Sequence, residues 1–281
     1  MYKTILKFVF IYALSYVNIY ASDYEQYLAQ QNKEYNEYKQ VFEKEFEAYK
    51  EAYTQGLKEY KNEILSIWPK SEISTAHKWI QYDKNYQSKK SVDFKKQTIN
   101  LEVIAKNEKQ ARKKLLDTFD DLLKDDVKRA YKNDQLENKI SKKLKTSNIN
   151  ITSKEKIIAD IVPNDEKNKL TQQLKTTPLI KVKHKNQFIY KANLKFPPKS
   201  LLKKAKLYTQ DVNEFAKAAL MDKELIYAVM HSESSFNPMA RSHIPAYGLM
   251  QIVPKSAGLD TYSFLYGKKK LLSSTYLYNT K

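Results

Sequence analysis

The chain has no cysteine. That excludes disulfides, and with them a stapled extracellular scaffold. It also excludes a lipid-modified cysteine as an anchor. Glycine is almost as scarce, with four in 281 residues. Only Gly56 lies in the body of the chain; Gly248, Gly258 and Gly267 crowd near the C-terminus, around Glu233. Tightly folded loops are therefore expected there and almost nowhere else. Up to Pro198 we find no internal repeat, metal-ligand cluster, phosphate loop or nucleophile elbow, so that part offers no chemistry of its own. No cofactor and no metal are expected.

Positive charge is what the chain has in excess. Fifty Lys and Arg stand against 32 Asp and Glu, a formal charge of +18. Such a surface favours polyanions: nucleic acid, anionic lipid headgroups or acidic cell-wall polymer. Twelve per cent aromatic residues argues against general disorder.

The N-terminus narrows the choice. Lys3 and Lys7 precede an apolar run from Phe8 to about Ala21 that is too short to span a membrane comfortably. It has the form of a signal peptide over 1–21, cleaved after Ala21, although Ile19 is a poor residue at the minus-three position. An uncleaved anchor is the alternative. Export to a periplasm, with peripheral wall or membrane contact through the basic surface, argues against nucleic acid as a partner.

From Tyr24 to Trp68 apolar residues recur every three or four positions, including Phe42, Phe46, Tyr49, Tyr53, Tyr60 and Ile64, which predicts one long helix ended by Pro69. Its aromatic stripe is a packing seam rather than a sugar platform. Val92 and Phe94, then Ile99, Leu101 and Val103, alternate as a hairpin, and "KWIQYD" before it is a further candidate strand. Asn107 and Gln110 form a capping-box pair for a second helix whose buried face runs from Leu115 through Phe119, Leu122, Leu123, Tyr131 and Leu136 to Ile140. Thr146 to Pro178 is polar and linker-like. Ile180 to Phe196 alternates as a second hairpin, closed by Pro197 and Pro198. Helical pattern then resumes over Asp211–Leu220. A further helix, N-capped by Asp222 and burying Leu225, Ile226, Ala228 and Val229, ends at "FNP" with Glu233 in its last turn.

The negative end of a helix, with Val229, Met230 and Phe236 nearby, disfavours the ionised form of a carboxyl group. A carboxylic acid kept protonated is what a general acid requires. "ESSFNPMARS" followed by "AYGLMQIVP" resembles the signature of the lytic transglycosylases with an SLT domain, relatives of goose-type lysozyme. It departs from the pattern at Pro245-Ala246, where the family usually has Gly-Ala. Upstream, "SIWPK", "KSVDF" and "NDQLE", beginning at Ser66, Lys90 and Asn133, resemble the N-terminal domain of the membrane-bound murein transglycosylase C group.

The resemblance implies an α+β chain. A small helix-plus-hairpin domain over 22–198 precedes a mainly α, lysozyme-like domain over 199–281. It implies Glu233 as catalytic acid/base, with Ser242, Gly248, Met250, Gln251 and Val253 meeting substrate. The substrate is the glycan strand of peptidoglycan, cut at its β-1,4 bond with closure of a 1,6-anhydromuramoyl ring. Family domains continue past the point reached here with a further helix and an "A-Y-N-A-G"-like motif. The SLT domain is therefore expected to be incomplete and weakly active, or to serve as a binding or scaffold module.

Overall fold

The computed structural model describes residues 2–145 and 151–279, with side chains from residue 24 onward, Tyr38 excepted. The chain divides into two compact units, Met1–Lys50 and Glu51–Lys281. The leader expected over 1–21 falls on residues whose side chains lie outside the described part. Among the described residues no helix is long and apolar enough to cross a membrane.

Helix α1 runs from Tyr2 to Ile67 and stops two residues before Pro69, where the proline leads us to expect it to stop. In its C-terminal part Tyr53, Tyr60 and Ile64 are buried, and so is Trp68 just beyond it. Tyr24, Tyr27 and Tyr35, in the first unit, are exposed.

Three strands follow, β1 (Lys78–Tyr82), β2 (Ser88–Asp93) and β3 (Thr98–Ala105). The second hairpin is β4 (Ile180–His184) and β5 (Gln187–Lys195). All pair antiparallel in the order β1-β2-β3-β5-β4. The two expected hairpins are thus one sheet, joined where Leu101 faces Ala192. Ile99, Leu101, Val103 and Leu194 fill its inner face against Leu115, Phe119 and Leu122 of α2 (Glu108–Lys124).

Asn107 caps α2 by accepting a hydrogen bond from the Gln110 amide at 2.9 Å. The Gln110 side chain reciprocates one residue early, accepting from the Lys106 amide at 2.8 Å.

Two expectations fail here. The single helix predicted from Asn107 to Ile140 is three: α2, α3 (Val127–Lys132) and α4 (Gln135–Lys143). Asp125 is extended, and Asp126 and Asp134 each restart a helix by accepting backbone N–H bonds, as N-cap carboxylates do. Nor is the segment before Pro178 a linker, in the part that is described. It holds a 3-10 turn (Ala159–Ile161) and α5 (Asn164–Thr176), and it buries Ile151, Ile157, Ile158, Leu170 and Leu174.

The remainder is helical: α6 (Ser200–Lys206), α7 (Thr209–Ala219), α8 (Lys223–Ser234), a π turn at Pro254–Gly258, α9 (Leu259–Tyr266) and α10 (Ser274–Leu277). The chain is α+β, as expected.

Candidate active site

Helix α8 carries Glu233 in its last turn. Asp222 occupies the N-cap position but makes no side-chain capping bond. The buried stripe is Met230 and Ser234, with Ile226 and Tyr227 partly buried, while Leu225 and Ala228 are exposed. The stripe expected at Leu225, Ile226, Ala228 and Val229 is therefore rotated. The reason is Phe236, which folds back under the helix and stacks on Tyr208, ring centres 6.1 Å apart, with Val212 and Met230 around it.

The return at Phe236 needs two successive residues in the left-handed region, Ser235 at φ 52° and Phe236 at φ 61°. Neither is glycine, so the turn stores backbone strain. Local bonds hold it: the Ser234 hydroxyl donates to the Met230 carbonyl and accepts from the Phe236 amide. The outcome for Glu233 is exposure. Its carboxyl makes no hydrogen bond or ion pair among the described residues. The apolar enclosure anticipated from Val229, Met230 and Phe236 is absent, because Phe236 turns inward.

Beyond the turn, the loop is fastened to the segment just before β1. Ser235 Oγ lies 3.1 Å from His77 Nδ1, and Asn237 Nδ2 donates to the Ala76 carbonyl at 3.0 Å. Asn237 Oδ1 accepts the Met239 amide. Arg241, 3% exposed, extends into a buried polar cluster. Its Nη1 lies 2.9 Å from Glu137 Oε1 and 3.4 Å from Asp134 Oδ2. Glu137 Oε2 also accepts from Ser274 at 3.0 Å and from Tyr131 at 3.2 Å. Burial alone would lower the Arg241 pKa, but Asp134, Tyr278 and Glu137 hold it well above its ordinary value. Burial pushes Glu137 upward, with Arg241 opposing. Sequence reasoning gave no role to His77, Asp134, Glu137, Arg241 or Ser274.

The other predicted positions gather in the next loop. Arg241 bridges Tyr247, and Tyr247 bridges Ile252. The Gly248 amide donates to the Ala240 carbonyl at 3.0 Å. Gly248 has φ +74°, and a Cβ there would overlap the Leu277 carbonyl oxygen. This close approach is to α10, within the fold. Ser242 uses its hydroxyl locally, donating to the Ile244 carbonyl and accepting the Ala246 amide. Gln251, at φ 49°, donates from Nε2 to the Gly248 carbonyl at 3.1 Å, and its buried Oε1 has no hydrogen-bond partner among the described residues. Met250 is 39% exposed and Val253 half-buried. Ser242, Gly248 and Gln251 thus share one hydrogen-bonded loop. Glu233 reaches it through the anchored segment 234–241. Among the described residues no metal-binding cluster occurs.

Residues 211–274 match the family described as transglycosylase SLT domain. Residues 46–143 match the membrane-bound lytic murein transglycosylase C, N-terminal domain. The chain is 28% identical over 230 residues to a membrane-bound lytic murein transglycosylase C of Klebsiella pneumoniae and 29% identical over 230 residues to one of Cronobacter sakazakii. It is 28% identical over 232 residues to one of Salmonella arizonae. Each alignment covers 78% of this chain and 61% of the relative, so the chain spans about three fifths of their length. With matches to that N-terminal domain and to the SLT domain, in that order, the chain is similar to the membrane-bound lytic murein transglycosylase C group.

Proposed function

We propose that the chain acts on peptidoglycan as a lytic transglycosylase, with Glu233 as its single acid/base. The observation that carries this reading is the placement of Glu233. It is an exposed carboxyl at a helix end, followed at once by a strained turn whose Ser235 meets His77, just before β1. A strained segment held by its surroundings is a common feature of catalytic loops.

Glu233 first protonates the leaving glycosidic oxygen as the C1–O4 bond breaks. It then accepts the proton of the C6 hydroxyl on the same muramoyl residue as the C1–O6 bond closes the anhydro ring. One carboxyl suffices because no water is activated, unlike the two-carboxylate hydrolytic arrangement. After Glu233 the only acidic residue is Asp260, which is exposed. Met250 and Val253 offer apolar surface to the sugar, beside Gln251. Ser242 and Gly248 shape the loop that presents them.

In this reading residues 1–21 direct export, 22–198 form the N-terminal domain and 199–281 the SLT domain. The protein works in the periplasm, held to wall or membrane by its charge. The test is Glu233→Gln on purified sacculi. Release of 1,6-anhydromuropeptides, followed by mass spectrometry, should fall by about 10²- to 10⁴-fold, the usual contribution of a general acid. Equal release by both proteins would remove Glu233 from this role.

A further inference from the structure

The outer face of the sheet carries polar rows where the inner face carries apolar ones. Register places Ile80, Ser91, Asn100 and Asn193 in one row, and Tyr82, Lys89, Glu102 and Lys191 in the next. An antiparallel sheet often leaves such a face to water. Here it is recessed. The segment after α1 folds over it, and between them lies a cavity of ≈ 480 Å³.

Two features of this cavity are not explained by the fold. The first is Ser91. It is 1% exposed and lines the cavity, yet its hydroxyl has no hydrogen-bond partner among the described residues. Buried hydroxyls are nearly always satisfied, so an orphan next to a cavity points to an acceptor from outside. The second is charge. Four lysines, Lys70, Lys78, Lys89 and Lys191, line the cavity against two glutamates, Glu72 and Glu102. The charges alternate. Lys78 lies 3.7 Å from Glu72, Lys89 is bonded to both glutamates, and Lys191 lies 2.9 Å from Glu102. Lys89 is fully engaged, so the surplus of two positive charges falls to Lys70, Lys78 and Lys191 at the rim.

An anion with oxygen acceptors satisfies both features. Inorganic ions leave most of the volume unused. They also leave an apolar side unaccounted for, since Trp68, Pro69 and Val182 line the same cavity. A carboxylate attached to a small apolar group fits all three: oxygens to Ser91 and the lysines, the apolar group to Trp68, Pro69 and Val182. We propose that this recess in the N-terminal domain binds the free carboxyl terminus of a short peptide. The site is independent of Glu233 and of the catalytic reading above. If that reading also holds, this domain grips peptide on the polymer that the other domain cuts.

The probe is N-acetyl-alanyl-alanine with a free C-terminus, in its L and D forms, against the corresponding C-terminal amides. Binding to the full chain is followed by amide chemical shifts, with no turnover required. The acid is expected to give saturable shifts at Ser91, Asn100 and Lys89, and the amide none. Ser91→Ala and Lys191→Gln should each weaken binding by about tenfold or more, the effect of losing one hydrogen bond to a charged group, with unchanged melting curves. Glu233→Gln should bind as wild type, which separates this site from the catalytic one. Equal binding of acid and amide, no saturable shift with either, full competition by inorganic phosphate at the same concentration, or wild-type binding by both cavity variants would each overturn the proposal.

Discussion

The Arg241 cluster makes a demanding prediction. Arg241→Met keeps most of the volume and apolar stem of the side chain and removes its charge. It leaves Glu137, with a side chain 3% exposed, and Asp134, 12% exposed, facing each other with no cation between them. Removing one member of a buried ion pair costs about 3–5 kcal/mol, because the remaining charge is stranded rather than because the pair was strong. Whole-domain stability is about 5–15 kcal/mol, so the loss is a large fraction of it. For a domain of this size it corresponds to a fall in Tm of roughly 6–20 °C.

Glu137→Gln is the control. It keeps an oxygen for Tyr131 and Ser274 and leaves Arg241 paired with Asp134, so about 1–2 kcal/mol is expected. The double variant should lose less than the sum, since the stranded charge is then halved. Urea unfolding read by tryptophan fluorescence suits the measurement. Both tryptophans, Trp68 and Trp79, are buried beside the sheet, and far-UV circular dichroism follows the helices. Coincident transitions license a single free energy. A loss under about 1 kcal/mol for Arg241→Met would mean that the cluster behaves as a solvated surface pair. The loop after Glu233 would then not be anchored as described.

Three further outcomes are expected. Gly248→Ala should destabilise the chain by about 1–3 kcal/mol, from the strain of φ +74° in a residue with a Cβ, plus the clash with Leu277; a neutral effect on Tm would show that this loop moves freely. Glu72 would be raised by burial, but its hydrogen bond from Lys89 and the charges of Lys89 and Lys78 bring it below its ordinary value. A depressed carboxyl contributes stability above its unfolded value and loses it as pH falls through the folded one. Glu72→Gln should therefore flatten the decline of Tm below about pH 4, and an unchanged decline would contradict the assignment. Finally, a charge-held protein with formal charge +18 should be released from a wall-and-membrane fraction by raising salt from about 0.1 to 1 M; recovery only in detergent would point to an anchor.

Much of the fold is legible because it is local. Alternation at Val92 and Ile99 to Val103, and again at Phe188 to Leu194, is enough for two hairpins. What alternation does not contain is the choice of partner. The pairing of β3 with β5 depends on which edges are free once α2 and α5 have covered the inner face. The break of one helix into three was less legible, since Leu115, Phe119 and Leu122 before it and Leu136 and Ile140 after it keep helical steps of three or four. Asp125, Asp126 and Asp134 decide the matter, and an aspartate reads the same in a helix interior facing water as at a cap. The segment from Ile151 to Leu174 read as a linker because its apolar residues are sparse, although nearly all of them are buried.

The site divides in the same way. The run from Glu233 to Pro254 stands out because strained turns and close approaches demand particular residues, and those can be seen one at a time. The cluster that holds the run in place cannot be seen like that. Arg241 sits among fifty basic residues, and its partners lie 104 and 107 positions earlier. Yet one signal was present. "NDQLE" places Asp134 at an N-cap and Glu137 three residues on, where a capping-box glutamate would turn back to its own helix. Asp134 does cap, accepting the Leu136 and Glu137 amides. Glu137 instead turns away from the helix end and is buried, in a first turn that also buries Leu136. A glutamate next to a core leucine needs either a proton or a cation. In a chain this basic, a cation was the economical answer, and the loop behind Glu233 supplies it.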